Sequence, residues 1–259
     1  LKFGGSSVGN AERIEQVIRI VKNESVRHQL VVVASAFGKV TNKLEQCGQL
    51  AGNGDYEYEK LLKKIETLHM GIVRELFPLQ NQSSVIADVK LLLNELEDIC
   101  HGIFLLKEVF PRTHDYLLGF GERLSGIILS SLLNTRGVKM NLLDARKLIL
   151  TDETYGNAQV NKEESYARIQ SVFNRIDGHA FVPGFIAASP SGKMTTLGRG
   201  GSDYTAALLA AALHADALEI WTDVDGVMTA DPRMVSQALP LQKLSYEEIM
   251  ELSHFGAKV

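Results

Sequence analysis

The chain has 259 residues, of which 45% are hydrophobic and 22% charged, and its formal net charge at pH 7 is −4. This balance is typical of a globular protein with a sizeable core and excludes an intrinsically disordered chain. Lysine and arginine form no cluster, which excludes the basic surface of a nucleic-acid-binding protein.

The beginning of the chain predicts a strand, a glycine turn and a helix. Gly4 and Gly5 follow a short apolar start, and residues 10–26 place apolar side chains at helical spacing. Residues 30–34 (LVVVA) form an uninterrupted apolar run, which is typical of a parallel strand covered on both faces. Two such strands joined by a helix make a βαβ unit.

The middle of the chain predicts a large helical block, after which strands return. Between about residues 39 and 136, apolar residues recur at helical spacing and strand signals are nearly absent. Strands are predicted at residues 138–143, 180–187, 194–197 and 217–223, and helices at residues 162–174 and 204–214. Because no repeat or long linker divides the chain, we predict one doubly wound α/β domain over residues 1–259.

The cysteines and the length of the apolar runs indicate the cellular compartment in which the protein is expected. Cys47 and Cys100 are the two cysteines, and they lack the spacing of a zinc site or a disulfide framework. The longest apolar run, at residues 206–213, is too short to cross a bilayer, and no secretory signal is visible. We therefore expect a cytoplasmic protein without a membrane segment, and the first residue, Leu1, indicates a trimmed sequence.

Two glycine-rich turns each stand between a predicted strand and a predicted helix. Lys2 opens the first turn (KFGGSS), and Arg199 lies within the second (GRGGSD, residues 198–203). Glycines let backbone N–H groups approach an anion, and the N-terminus of the following helix adds partial positive charge. One such turn is ordinarily structural, but two that each carry a basic residue favour a phosphate-binding site.

The first turn also matches a hydrolase motif. Residues 5–9 read GSSVG, which fits the nucleophile elbow GxSxG with Ser7 as the nucleophile. An elbow normally follows several strands, and a hydrolase would leave the second glycine-rich turn without a role, so this is a distant alternative. The P-loop and protein-kinase motifs are absent from the sequence, so phosphoryl transfer would need another scaffold.

Four acidic positions each admit a structural and a functional interpretation. Asp203 lies at a helix start, where a carboxylate is favourable, and Glu122 precedes an arginine in the helical block, as in a surface ion pair. Asp223 and Asp225 end a strand, where carboxylates suit magnesium or ribose. Beside a glycine, however, Asp225 is more ordinarily a turn former. The seven histidines are scattered and predict no metal site.

Five segments, in family order, resemble the signatures of the aspartokinases. They span the whole chain with the helical block between them. Related amino-acid kinases share glycine-rich turns, but the five segments in this order are highly specific. The segments are KFGGSSV at residues 2–8, GRGGSDYTA at 198–206, WTDVDGV at 221–227, TADPR at 229–233 and FGAKV at 255–259.

The resemblance implies the amino-acid kinase fold, a three-layer α/β/α sandwich with a mostly parallel central sheet. It implies that ATP, the co-substrate, and L-aspartate react to ADP and 4-phospho-L-aspartate, the first step towards lysine, threonine and methionine. Magnesium would be bound mainly through ATP, with no protein ligand assigned. The full-length protein is expected to be a homo-oligomer that binds neither nucleic acid nor membrane.

The resemblance also implies a role for individual residues. Those expected along the phosphates or around the nucleotide are Lys2, Gly4, Gly5, Ser6, Thr222, Asp223, Arg233 and Lys258. Those expected around aspartate are Ser35, Thr41, Glu122, Arg199 and Asp203. Glu122 and Asp203 would hold the ammonium group, Arg199 would hold the α-carboxylate, and Lys2 and Asp203 would be catalytic. Because the side-chain carboxylate of aspartate is already a nucleophile at pH 7, the reaction needs positioning and charge neutralisation but no general base.

Some features depart from the family pattern or leave alternatives open. Ser6 stands where many members have threonine, which keeps the hydroxyl, and Met228 stands where many have tyrosine, which leaves the contacts to the nucleotide base open. Regulatory ACT domains are expected beyond the last residue, and the helical block resembles that of members fused to a homoserine dehydrogenase. The alternatives are a glutamate or carbamate kinase of the same fold and an inactive binding remnant.

Overall fold

The computed structural model of the chain describes residues 1–224, 226–230, 234–235 and 237–254, with side chains up to residue 252. Two compact units are present, Leu1–Trp221 and Thr222–Val259.

The first unit is built on a parallel sheet. Its strands in chain order are β1 (Lys2–Phe3), β2 (Val31–Ala34), β3 (Met140–Leu142), β4 (His179–Pro183), β5 (Ile186–Ala188), β6 (Met194–Thr196) and β7 (Ile220–Trp221). Five of them form a sheet of order β3-β4-β2-β1-β7 in which every pairing is parallel, and β5 and β6 form an antiparallel pair. Because the strands of the main sheet run in one direction, their carboxyl ends share one edge, where open α/β sheets bind ligands.

The helices of the first unit follow the predicted alternation. They are α1 (Ala11–Glu24), α2 (Val40–Gly52), α3 (Glu57–Leu76), α4 (Leu79–Leu106), α5 (Pro111–Leu118), α6 (Phe120–Thr135), α7 (Ala145–Leu148), α8 (Lys162–Phe173) and α9 (Gly201–Ala212). Asn10 begins α1 by accepting a hydrogen bond from the backbone N–H of Arg13. The predicted helical block is confirmed, because α2 to α6 account for nearly all of it.

Hydrophobic cores cover the sheet on both faces. Along β2, Val32 belongs to the core formed with α1 to α6, whereas Val33 belongs to the core formed with α7 to α9. Along β4, Phe181 and Val182 divide in the same way. Successive strand residues point to opposite faces, so this division demonstrates three layers and confirms the predicted α/β class.

One helical stretch is apolar and long enough to be compared with a membrane span. Pro111–Thr135 meets that criterion by length and composition, but 72% of its most apolar window is buried inside the protein. Phe120, Leu124 and Ile128 on α6 are completely buried. The stretch therefore comprises the largely buried core helices α5 and α6.

The strand predicted for residues 180–187 is a wrong prediction, because the structure divides it into β4 and β5. Phe185 lies between them in the left-handed region with φ 67°, which ends the first strand. A Cβ atom on Gly184 would lie 2.6 Å from the Cβ atom of Ser202, so α9 packs directly against this break. The chain consequently leaves the main sheet and pairs with β6 instead.

The second unit contains a short antiparallel bridge and one helix. Met228 bridges to Pro240, and α10 spans Tyr246–His254. Ser245 caps α10 by accepting from the backbone N–H of Glu248, whose carboxylate accepts from the N–H of Ser245 in return. A single domain over residues 1–259 stays a prediction.

Candidate functional site

Three turns meet around a cavity of about 350 Å³ at the carboxyl edge of the sheet. Gly4 and Gly5 line it from the turn between β1 and α1. Residues 35–42, between β2 and α2, and residues 198–203, between β6 and α9, supply most of the remaining wall. Glu122 of α6 and Phe185 complete it. Both glycine-rich turns predicted as anion sites therefore border the same cavity.

The two helices that begin at this cavity have similar N-termini. Lys39 precedes α2 with φ 61°, and Gly200 precedes α9 with φ 73°. Neither helix has a side-chain hydrogen bond at its N-cap. Uncapped N–H groups and the helix dipole together favour a negatively charged ligand.

Lys2 and Asp203 form an ion pair in the cavity wall. The Nζ atom of Lys2 lies 2.7 Å from Oδ1 of Asp203. Lys2 comes from β1 and is largely buried, whereas the Asp203 side chain, in the first turn of α9, is 45% exposed. The structure thus joins the two residues expected to be catalytic, which are separated by nearly the whole sequence of the first unit.

Glu122 is a buried carboxyl group with an unused oxygen. Its Oε1 atom accepts a hydrogen bond of 3.1 Å from the backbone N–H of Ala36, and within the described residues its Oε2 atom has no partner. Burial raises the pKa of Glu122 to about 8, although the bond from Ala36 acts in the opposite direction. The carboxyl group is therefore mostly neutral at pH 7, and a cationic ligand bound beside it would favour its ionised form, with the proton released to solvent.

Gly121 explains why α6 approaches the site so closely. A Cβ atom at this position would lie only 2.7 Å from the Cβ atom of Ala36. Any larger residue would therefore push α6 away from the turn after β2. The glycine that precedes Glu122 in the sequence is thus a packing requirement for the hydrogen bond between Glu122 and Ala36.

Of the five residues predicted to face aspartate, four line the cavity and one does not. Ser35 and Thr41 line the cavity together with Glu122 and Asp203. The hydroxyl of Ser35 donates to that of Ser202 over 3.0 Å, which links the turn after β2 to the start of α9. Arg199 differs, because it is exposed in the turn before α9 and is not among the residues that line the cavity.

The remaining predicted residues of the first turn lie outside the cavity wall. Ser6 is exposed, and its carbonyl accepts a hydrogen bond from Arg13. The hydroxyl of Ser7 donates to the carbonyl of Trp221 over 3.3 Å, and among the described residues no histidine bonds to it. A hydrolase nucleophile requires an adjacent base, so this geometry argues against the elbow interpretation.

The residues predicted around the nucleotide base and sugar belong to the second unit. There the hydroxyl of Thr222 donates to the carboxylate of Asp223 over 3.2 Å, and Met228 is buried. Arg233 and Lys258 lie outside the described residues, as does Asp225. The nucleotide roles of these residues stay predictions.

Sequence reasoning missed three cavity-lining residues that the structure reveals. Lys39 is a second cation of the wall, Phe185 adopts a left-handed backbone, and Ser202 bonds to Ser35. Lys39 follows Gly38 in the turn between β2 and α2, and a basic residue after a glycine in such a turn is a weak signal for an anion site. Phe185 follows Pro183 and Gly184 at the end of β4, and a Pro-Gly pair is a turn signal.

Asp115 is a further residue that sequence reasoning missed, and it lies outside the cavity lining. This completely buried carboxylate of α5 accepts hydrogen bonds from the N–H groups of Gly156 and Thr196 and from the Thr196 hydroxyl, over 2.8 to 3.0 Å. Burial raises the pKa of Asp115, and these three bonds oppose the rise. Because Thr196 ends β6 immediately before the second glycine-rich turn, Asp115 holds the base of that turn.

Comparisons with known proteins agree on one family. The sequence model of the amino acid kinase family matches residues 1–259. A bifunctional aspartokinase/homoserine dehydrogenase of Buchnera aphidicola is 37% identical over 265 residues, covering 100% of this chain and 32% of that protein. Aspartokinase 1, chloroplastic, of Arabidopsis thaliana is 38% identical over 267 residues, covering 100% and 46%. The chain thus spans less than half of either curated relative.

Solved structures extend this similarity to the fold. Aspartokinase III of E. coli, in complex with aspartate and ADP, matches with a TM-score of 0.89 and 32% identity over 99% of this chain and 56% of that one. An aspartate kinase of Clostridium acetobutylicum matches with a TM-score of 0.80 and 30% identity over 100% and 55%. The predicted amino-acid kinase fold is therefore confirmed.

Proposed function

The chain belongs to the amino acid kinase family, and we propose that it is the catalytic part of an aspartokinase. It would transfer the γ-phosphoryl group of ATP to the side-chain carboxylate of L-aspartate. The observation that carries the proposal is Glu122, a buried carboxyl group with an unused oxygen, in a cavity that also holds the pair of Lys2 and Asp203. A carboxyl group in this setting suits the ammonium group of an amino acid.

Aspartate would be held at its ammonium and α-carboxylate groups. Glu122 and Asp203 would share the ammonium group, and Ser35 and Thr41 offer hydroxyl groups from the same wall. Arg199 is exposed beside the cavity, and its side chain would turn inwards to bind the α-carboxylate in a bidentate manner. These contacts leave the side-chain carboxylate directed towards the nucleotide.

The nucleotide phosphates would lie along the two glycine-rich turns. Backbone N–H groups near Gly4 and at the start of α9, together with the Lys2 ammonium, provide positive charge there. We further propose that Ser6 lies beside the phosphates. Around the rest of the nucleotide we propose Thr222, Asp223, Arg233 and Lys258.

Transfer then requires no proton movement. A carboxylate oxygen of aspartate forms a bond to the γ-phosphorus, while the bond from that phosphorus to the bridging oxygen breaks. The electron pair of the broken bond leaves on ADP. Lys2 would stabilise the negative charge of the transferring group, so catalysis rests on position and charge.

Magnesium would accompany the nucleotide. The described residues contain no group of three or more His, Cys, Asp or Glu side chains that could hold a metal. The half-exposed Asp203 gives the cavity an acidic group that the solvent reaches. This setting fits an ion held mainly by phosphate oxygens, as is usual for Mg²⁺, and the ion would supply further positive charge.

The properties of the whole protein are likewise proposals. We propose a cytoplasmic homo-oligomer in which this chain precedes further domains, as the lengths of the curated relatives suggest. Cys47 and Cys100 are both free and buried, which supports a reducing compartment. The product would enter lysine, threonine and methionine biosynthesis.

A hydroxamate assay tests the proposed activity. The chain, and the full-length protein that contains it, are incubated with MgATP and L-aspartate, and hydroxylamine traps the acyl phosphate. We expect aspartate-dependent hydroxamate with matching ADP formation, and a strong loss in Glu122→Gln. Product with L-glutamate but not with L-aspartate would instead indicate a glutamate kinase, and product with neither in the full-length protein would refute kinase activity.

A further inference from the structure

Lys39 has an unusual backbone for the start of a helix. It is the N-cap residue of α2, with φ 61° and ψ 12°. N-cap residues are ordinarily extended and cap the helix with a side-chain oxygen, whereas Lys39 makes no such bond. The left-handed region is unfavourable for any residue with a Cβ atom.

Two other residues with a left-handed backbone provide a comparison for Lys39. At the corresponding N-cap of α9 the left-handed residue is Gly200, which has no Cβ atom to strain. Lys107 is also left-handed, with φ 53°, but it ends α4, where this conformation is common. Lys39 therefore retains a side chain where glycine would fit more easily, and such strain is typical of functional positions.

The charge of Lys39 is uncompensated within the cavity. Lys2, the other lysine of the wall, is paired with Asp203. Among the described residues, Lys39 takes part in no ion pair and its ammonium group makes no hydrogen bond. Its side chain is exposed at the cavity, so it can move to meet a negatively charged ligand.

Close packing places Lys39 beside the first glycine-rich turn. A Cβ atom on Gly38, its neighbour in the chain, would lie 3.2 Å from the Cα atom of Gly9 and 3.6 Å from the carbonyl oxygen of Gly5. The turn after β2 therefore rests directly on the turn after β1, which we assign to the phosphates. The backbone of Lys39 is fixed within one residue of that contact.

We propose that Lys39 is a second catalytic cation, which contacts the transferring phosphoryl group together with Lys2. This inference rests on the proposed kinase function. While the oxygen–phosphorus bond to aspartate forms and the bond to the bridging oxygen breaks, the electron pair leaves on ADP and Lys39 stays protonated. Because Lys2 is paired with Asp203, its charge is shared between that carboxylate and the phosphoryl oxygens. Lys39 would add to the positive charge that Lys2, the backbone N–H groups and magnesium supply.

Substitution by glycine separates a catalytic role from a structural one. Lys39→Gly removes the charge and relieves the backbone strain at the same time. We expect turnover at saturating MgATP and L-aspartate to fall by about 10²-fold, with the aspartate KM changed by less than about threefold. The melting temperature should stay the same or rise, because glycine suits this backbone.

Two further variants complete the design. Lys39→Arg keeps the charge and should retain turnover within about tenfold of the wild type. Lys107→Gly is the matched control, because it removes another exposed left-handed lysine, at the end of α4 and outside the cavity lining. Its turnover should equal that of the wild type.

The outcomes distinguish this inference from the proposed function. If the wild-type protein forms no aspartate-dependent hydroxamate, the kinase function fails and the inference fails with it. If the wild type is active and Lys39→Gly has the same turnover, the inference alone is overturned. Loss of turnover with a parallel drop in melting temperature would make Lys39 structural, and a raised aspartate KM at unchanged turnover would make it a substrate ligand. Either result overturns the catalytic role.

Discussion

Binding of aspartate should release a proton from Glu122. Burial raises the pKa of this carboxyl group to about 8, and the ammonium group proposed to bind it requires the ionised form. At pH 7, a group with this pKa is about 90% protonated, so each aspartate bound should release about 0.9 proton. The deprotonation costs about 1.4 kcal/mol at pH 7, which weakens binding about tenfold relative to a carboxylate that is already ionised.

Isothermal titration calorimetry measures this proton directly. L-Aspartate is titrated into the protein at pH 7 in PIPES and in Tris buffer, whose ionisation enthalpies differ strongly and neither of which contains phosphate. The difference between the two observed binding enthalpies gives the number of protons released. The Kd should fall about ninefold from pH 6 to 7 and about fivefold from pH 7 to 8, and it should level off above the pKa of Glu122.

Glu122→Gln is the control, because glutamine has a similar shape but no ionisable proton. It should bind aspartate more weakly, release no proton and show a Kd without this pH dependence. The raised pKa of Glu122 also makes the free energy of unfolding depend on pH. The contribution of this group to the free energy of unfolding is fully present below its ordinary pKa of about 4.5 and is lost as pH rises through about 8. The variant should therefore gain stability relative to the wild type between pH 6 and 8. Equal binding enthalpies in the two buffers for the wild type would refute the assigned role of Glu122.

Three further substitutions test other parts of the site. Lys2→Ala should lower turnover by about 10² to 10³-fold while the aspartate KM changes little, because the Lys2 charge acts on the phosphates during transfer. Unchanged turnover in steady-state kinetics would contradict that role. Arg199→Lys should raise the aspartate KM about tenfold with turnover retained, since one ammonium group cannot reproduce the bidentate hydrogen bonds of a guanidinium group. An unaltered KM would show that Arg199 does not hold the α-carboxylate. Asp115→Asn should lower the free energy of unfolding by about 2 to 4 kcal/mol in urea titrations, because an amide cannot accept all three buried hydrogen bonds. Asp177→Asn, at an exposed ion pair with Lys139, should leave the free energy of unfolding nearly unchanged, and equal effects at the two positions would contradict the anchoring role of Asp115.

Local patterns predicted the elements but not every connection between them. The buried run of β2 and the helical spacing of α1 are visible within a few residues, because each element repeats its own period of apolar side chains. The division between β4 and β5 was missed, since it depends on the contact between Gly184 and Ser202. No local pattern in residues 180–187 reports that α9 packs against them.

The sequence predicted some residues of the candidate site and missed others, because the missed residues depend on contacts between distant segments. Lys2 and Asp203 came from the glycine-rich motifs and Glu122 from the family resemblance, and the structure brings all three to one cavity. Lys39 was missed because its left-handed backbone accompanies packing of one turn against another. Asp115 was missed because its partners lie 41 and 81 positions away in the sequence.

The sequence by itself determined the α/β class, the helical block and the two glycine-rich turns, because apolar periodicity and glycine placement are local properties of the chain. The tertiary structure decided which groups meet and in which state of charge. Distance and burial determine the ion pair of Lys2 with Asp203 and the raised pKa of Glu122. They also determine the Glu122 oxygen that has no partner within the part of the chain that the structure describes. Those quantities arise only when segments that are remote in sequence pack together and exclude water.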